Sequence, residues 1–407
     1  MNPDVFEKLL EIGTALSSVH DLDLLLDKIL SYAQVLTNAD GASIYLIENN
    51  KLVFKVSRNN TFFKQWGEAK TRETFKSFEL PITKESLSGY VAITAHPLNI
   101  KDVGQLPPES DYHYDPTFDK KYNYKAVSML VIPMLDNEDK VIGVLQLINA
   151  MEGEKIIPFT DEHVKITCSL SSQAAVAIQN TKFAGQLKEA HYDTILRLSI
   201  ASAYRDKETT NHIKRVAEYC RLLANKVGFS KEDTEILFWA SPMHDIGKLG
   251  VPDAILQKPG ILTPEERKTM EKHTIMGAMV LKDSKAKVLV TSRIIALTHH
   301  EKYDGTGYPQ GLKGNEIPAE GRMVAIADVY DALSSKRCYK EAMPDQEVLK
   351  ILNDGRGKHF DPDMLDMFIA YIQEAKKIKE FYSDTDKDFD KLSSLGEINL
   401  MELLKND

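Results

Sequence analysis

The chain has 407 residues, 43% of them hydrophobic and 27% charged, the make-up of an ordinary globular protein and too long for one ordinary domain. With 51 Lys and Arg against 60 Asp and Glu, the net charge of −9 excludes a general binder of nucleic-acid polymers. No stretch approaches the roughly 18 uncharged apolar residues of a membrane span, and residues 1–10 carry Asp4, Glu7 and Lys8 where an export signal would be apolar. The expectation is a cytoplasmic protein without membrane insertion.

Residues 6–15 and 22–35 have apolar residues at helical spacing. Two short strands follow, 41–47 and 51–56, joined by the turn residues Glu48-Asn49-Asn50. Two more are predicted near 126–135 and 140–148, with Asp136-Asn137-Glu138-Asp139 as a hairpin turn. Residues 95–125 are polar and rich in Pro and Tyr, and predict a long loop over one face. From 161 to about 205 the pattern turns helical. Leu170, Ala174, Ala177, Ala184, Ile195 and Leu198 follow a rough seven-residue repeat, which predicts a connector helix that pairs with a second copy.

The second half predicts helices throughout. Thr263-Pro264-Glu265-Glu266 is a strong helix start, with Ser230 a weaker one. Ile213, Val216, Ala217, Cys220, Leu223, Ala224 and Val227 form one apolar face, closed by Gly228. The fold class is therefore multi-domain: an α+β first domain with an antiparallel sheet, a long connector helix and an all-α bundle. The predicted bounds are 1–185 for the first domain, about 161–205 for the connector, 186–375 for the bundle and 376–407 for a tail.

Cysteines 168, 220 and 338 are too few and too far apart for a disulfide framework or a thiolate zinc site. The histidines say more, since six of the eleven lie between residues 200 and 360. His244 and Asp245 are adjacent, and imidazole with carboxylate suits borderline metals such as iron, manganese, cobalt or zinc. Glu208 and His212 are four apart, which on a helix puts them on one face. His273 follows the capped start at Thr263, and His299-His300 closes an apolar segment. Asp328 stands inside Val324-Ala325-Ile326-Ala327-Asp328-Val329, where a carboxylate is buried and needs a partner or a metal. Five His, two Asp and one Glu exceed the needs of a single four-ligand metal, so the arithmetic points to two or three metals.

His244-Asp245-Ile246-Gly247-Lys248, His299-His300-Glu301-Lys302-Tyr303-Asp304-Gly305-Thr306-Gly307-Tyr308-Pro309 and Ala327-Asp328-Val329-Tyr330-Asp331-Ala332 together resemble the HD-GYP family. Its members are bacterial phosphodiesterases of cyclic di-GMP, a variant of the HD phosphohydrolases. The resemblance covers about residues 190 to 375. It implies a helical bundle holding two or three divalent ions, iron or alternatively manganese. The implied ligands are His212, His244, Asp245, His273, His299, His300 and Asp328. Glu208 matches the acidic position that accompanies a third metal, which favours three. The implied reaction is hydrolysis of cyclic di-GMP to pGpG or GMP by a metal-activated water attacking phosphorus in line with the leaving ribose oxygen. Lys248 would contact the scissile phosphate and protonate the leaving group, and Asp245 would share the catalytic chemistry. Asp331 would orient the water or the lysine. Arg337, Lys340 and Tyr308 would hold the substrate. The alternatives are an HD-type phosphohydrolase of another cyclic dinucleotide or nucleotide, and a catalytically silent signalling adaptor.

The first half resembles a GAF domain, a small-molecule sensor module. The matching features are the strand 41–47, Gly89-Tyr90-Val91-Ala92, Val141-Ile142-Gly143-Val144-Leu145-Gln146-Leu147-Ile148-Asn149 and Phe159-Thr160-Asp161-Glu162. The resemblance implies a regulatory small-molecule ligand of unknown identity and a homodimer through this domain and the connector. Ala150 stands where cyclic-nucleotide-binding members often carry Lys, which argues against cyclic GMP.

Overall fold

The computed structural model describes residues 3–19, 21–75, 78–206, 208–336 and 342–384. The chain divides between Lys188 and Glu189 into two compact units. No helix among the described residues is long and apolar enough to cross a membrane.

The first unit is built on a seven-stranded antiparallel sheet. Its strands are β1 (Ala39–Glu48), β2 (Lys51–Asn59), β3 (Glu79–Pro81), β4 (Leu98–Ile100), β5 (Met129–Leu135), β6 (Val141–Glu152) and β7 (Lys155–Ile157). The order is β3-β2-β1-β6-β5-β4, with β7 on β6. Successive side chains of a strand point to opposite faces. Ile44 and Leu46 of β1 and Leu145 and Leu147 of β6 therefore face the helix Leu22–Thr37, through Leu25, Leu26, Ile29 and Leu30. Tyr45 and Val144 face the other side, with Phe54, Val91 and Val131. The predicted hairpin at 136–139 joins β5 and β6. Residues 95–125 are more structured than expected: they include β4 and the helix Thr117–Tyr122, and Tyr112, Tyr114 and Tyr124 pack on the second core.

The helix Asp161–Arg205 runs unbroken for 45 residues. The seven-residue repeat is not one continuous face. Leu170, Ala174 and Ala177 are buried in the first unit's core and Ile195 in the second unit, whereas Ala184 and Leu198 are exposed.

Described residues beyond Arg205 form helices and turns only. The helix Thr210–Val227 starts on Thr209, whose side chain accepts from His212 N, and ends on Gly228 in the left-handed region. Its apolar face packs against the helix Ala319–Ser334 through Val216, Tyr219, Cys220, Leu223, Met323, Ile326 and Tyr330. The predicted starts at Ser230 and Thr263 are both present, the second as a full capping box. The boundary drawn at 375 falls inside a helix, Ile372–Phe381, whose Ala375 is fully buried. Arg337, Lys340 and residues 385–407 of the tail lie outside the described residues.

Candidate metal centre

Five elements of the second unit converge on one cluster. The helix Thr210–Val227 brings His212, a turn after Ser241–Met243 brings His244 and Asp245, and the start of His273–Val280 brings His273. His299 and His300 follow the end of the helix Lys287–Thr298, and Asp328 lies on Ala319–Ser334. The end of the long helix clamps the His244 segment. Ser202 donates to Asp245 O at 3.2 Å, and Arg205 donates to Lys248 O at 3.0 Å and Val251 O at 2.7 Å.

The ligand atoms form two groups whose members all lie within 4.8 Å of one another: Asp245, His273, His299 and His300 in one, His212, His244 and Asp328 in the other. Asp245 lies between them. Its Oδ1 is 3.3 Å from His273 Nε2 and 3.5 Å from His299 Nε2, while Oδ2 is 3.2 Å from His244 Nε2. Glu208 lies beside the second group, its Oε2 being 3.4 Å from His212 Nε2. Glu208 is not on the His212 helix, as the four-residue spacing predicted. Thr209 caps that helix, so Glu208 precedes it and reaches His212 from the chain just outside.

The ring nitrogens reveal what the cluster is suited to hold. Nδ1 of His244 meets Ser241 O at 2.9 Å, that of His273 meets Met270 O at 2.7 Å, and that of His299 meets Ile295 O at 3.0 Å. A carbonyl only accepts, so in the neutral ring Nδ1 carries the proton and Nε2 presents a bare lone pair. The Nε2 atoms of His273 and His299 face each other at 3.5 Å. His212 Nε2, His244 Nε2 and Asp245 Oδ1 are buried with no hydrogen-bond partner. Orphaned buried polar atoms are costly, and converging lone pairs on anchored imidazoles are the usual surroundings of a divalent ion. The residues fit a metal site.

Electrostatics divide the histidines. Burial holds the His273 imidazole down to about 4, and burial with the neighbouring His299 holds His300 well below its usual range. Both rings are therefore neutral and able to ligate near pH 7. Burial would also lower His244, but Asp245, Asp328 and the Ser241 carbonyl outweigh it and raise the ring to about 9. Burial favours neutral Lys248, yet Asp245, Glu208 and Asp206 together hold it well above the usual range, as a cation. Its Nζ touches Asp206 and lies 2.7 Å from Asp245 Oδ2.

Asp331 stands elsewhere than expected. Among the described residues its hydrogen-bond partners do not include Lys248. It accepts from His212 Nδ1 at 2.8 Å, from Arg215 Nε at 2.6 Å and Nη2 at 2.9 Å, and from Ser335 Oγ at 3.2 Å. It orients a histidine from behind. Tyr308 is half-buried, its ring 4.9 Å from that of His300. The loop that carries it hangs on Glu301, buried at 2% exposure, which accepts from Gln310 N at 2.7 Å and Leu312 N at 3.0 Å. Sequence reasoning assigned no role to Asp206, Arg215 or Glu301. Arg215 carried a signal, as a charge three residues from His212 beside an apolar face.

Comparison with known proteins comes to the same place. Residues 21–178 match the family profile of the GAF domain, and residues 198–364 that of the HD domain. The chain is a GAF domain followed by an HD domain. The chain is 38% identical over 209 residues to the 3'3'-cGAMP-specific phosphodiesterase 2 of Vibrio cholerae, covering 51% of this chain and 40% of that one. It is 39% identical over 214 residues to a probable cyclic di-GMP phosphodiesterase of the same organism, covering 49% and 48%. A cyclic di-GMP phosphodiesterase of Thermotoga maritima is 39% identical over 205 residues, covering 50% and 56%. The chain thus spans about half the length of the curated relatives it matches. The motif resemblance to HD-GYP proteins agrees with both domains and with these relatives.

The GAF domain has a cavity of about 320 Å³ on the sheet face away from the helix Leu22–Thr37. Tyr45, Phe54, Phe62, Phe78 and Tyr124 line it, with Gln146 among its polar groups. Asn149 is not free to meet a ligand: it accepts from Val127 N at 2.8 Å and donates to Lys125 O at 2.8 Å.

Proposed function

We propose that the chain is a metal-dependent phosphodiesterase that opens cyclic di-GMP to pGpG or GMP. The observation that carries this is the pair of ligand groups on either side of Asp245 Oδ2, which lies 3.2 Å from His244 Nε2, with the buried Nε2 atoms of His212 and His244 left without hydrogen-bond partners. Ions held there would act as Lewis acids on the phosphoryl group and acidify water. Iron or manganese suits this imidazole and carboxylate set, and Glu208 beside His212 favours three ions. His212, His244 and Asp328 with Glu208 would hold one side, and Asp245, His273, His299 and His300 the other.

The remaining roles fall to the chain's own groups. Lys248 is held as a cation at the edge of the cluster, where it can meet a phosphoryl oxygen and supply a proton to the leaving ribose oxygen. Tyr308 stands beside His300, where its ring can bear on a substrate. Arg337 and Lys340 follow the Asp331 helix and would grip phosphate. We place the regulatory ligand in the GAF cavity and the homodimer contact on that domain and the connector helix.

A second reading is hydrolysis of 3'3'-cGAMP, favoured by the name of the Vibrio cholerae relative at 38% identity. Elemental analysis of anaerobically purified protein, with hydrolysis of both dinucleotides by the same sample, tests the proposal. Two or three iron or manganese ions per chain with faster turnover of cyclic di-GMP is the expected result. Faster turnover of 3'3'-cGAMP would replace the substrate. Full metal with neither hydrolysed would overturn the substrate class. A protein that takes no metal even after reconstitution would overturn the enzyme reading.

A further inference from the structure

The charged residues behind His212 form a chain that leads away from the cluster to the end of the described structure. Arg215 is 2% exposed and spends its whole fork on two carboxylates and a carbonyl. Nε and Nη2 bind Asp331, while Nη1 donates to Tyr382 O at 2.8 Å and Asp384 Oδ2 at 2.7 Å. Asp384 is half-buried as a residue, with its side chain only 6% exposed. Asp331 turns its Oδ2 to His212 Nδ1 at 2.8 Å, so that His212 Nε2 points, without a partner, toward Glu208 and Asp328.

We propose that Arg215 and Asp384 are positioning residues for the metal centre, and that residues 382–384 hold His212 in ligand geometry through Arg215 and Asp331. This rests on the reading of His212 as a metal ligand. Two physical effects support it. The first is geometric: a guanidinium fixed on both edges fixes the carboxylate it grips, and that carboxylate sets the tautomer and angle of the imidazole. The second is electrostatic. Asp331, Arg215 and Asp384 together carry one negative charge. Without Asp384 the group is neutral, because the Arg215 cation then cancels the charge of Asp331 in full. His212 would then be a poorer donor to a cation. None of the three residues needs to touch the ion.

The test is Mn²⁺ uptake by the metal-stripped full chain, followed by electron paramagnetic resonance of the free ion, with folding checked by circular dichroism. His212→Ala identifies which ion that histidine holds. Asp384→Ala should weaken that ion by about tenfold, the low end for loss of a partner behind a ligand, and leave the others unchanged. Asp384→Glu should recover most of the affinity. Asp384→Asn keeps an acceptor but not the charge, and should lie between. It also serves if the alanine variant does not fold. A folded variant that binds every ion with wild-type affinity would overturn the proposal, even if its metal-free form melts lower. Wild-type protein that binds no Mn²⁺ would overturn the metal centre itself, and the proposal with it.

Discussion

Gly247→Ala probes the closest approach in the HD domain. A Cβ at Gly247 would lie 1.8 Å from the carbonyl oxygen of His273 and 2.3 Å from Gly277 N. Both are backbone atoms, so no rotamer change relieves the clash. Ordinary contact begins near 3.4 Å, so the helix His273–Val280 must retreat by about 1.6 Å, the difference between 3.4 and 1.8. His273 rides on the first residue of that helix. Metal–ligand distances vary by only about 0.2 Å, so the shift removes His273 from any ion held with Asp245 and His299. Overpacking costs about 1–3 kcal/mol, and rigid backbone on both sides puts this case near 3. At about 2–4 °C per kcal/mol for a domain of this size, the HD domain should melt about 6–12 °C lower. Calorimetry on metal-free protein isolates the packing cost, and metal analysis of reconstituted protein reads the displaced ligand. Gly185→Ala is the control, because nothing lies within 4 Å of its Cβ and a helix-interior Ala gains about 1 kcal/mol over Gly. A Gly247→Ala protein that melts like wild type and keeps all its metal would refute the reasoning.

Glu301→Gln replaces one acceptor oxygen with a donor, so one of the N–H groups of Gln310 and Leu312 loses its partner, at about 1–3 kcal/mol. The Tyr308 loop should loosen, raising KM for the cyclic dinucleotide more than it lowers kcat, at unchanged metal content. Steady-state kinetics check this, and an unchanged KM would count against it. The raised His244 predicts proton release. Its folded value of about 9 lies above the ordinary 6.5, so its stabilisation of the metal-free protein is full below pH 6.5 and fades as pH rises toward 9. A ligand imidazole must be neutral, so Mn²⁺ uptake at pH 7.5 should release about one proton from this ring, and none near pH 10. Calorimetry in two buffers of different ionisation enthalpy reads it, and zero release at pH 7.5 would sink the assignment.

The long strands β1, β2, β5 and β6 are legible because they are apolar runs joined in pairs by the turn residues 48–50 and 136–139. Strands β3, β4 and β7 have three residues each, too few for any period to appear. Of the clustered residues, His244, Asp245, His299, His300 and Asp328 are legible because they stand in motifs, whereas the four-residue spacing puts Glu208 on a helix that its neighbour Thr209 caps. The motifs suggest the water or Lys248 as the group that Asp331 orients, whereas its hydrogen-bond partners include His212 and Arg215, more than 100 residues earlier in the chain. Arg215 could be noticed but not explained, since Asp331 and Asp384 are far off along the sequence. Burial creates such ion pairs, and spacing along the chain does not encode them.

The cluster draws on five separate elements spread from His212 to Asp328. A partly folded chain can offer neighbours such as His244 with Asp245, or His299 with His300, but one group is complete only when segments from Asp245 to His300 have packed, and the other only when the helices of His212 and Asp328, more than 100 residues apart, have met. Metal affinity would thus be a property of the finished bundle, and an ion held there would draw the population toward it by mass action. The same ligands that would run the chemistry also act as a check on assembly: a chain that has not closed its core has nowhere to keep the metal.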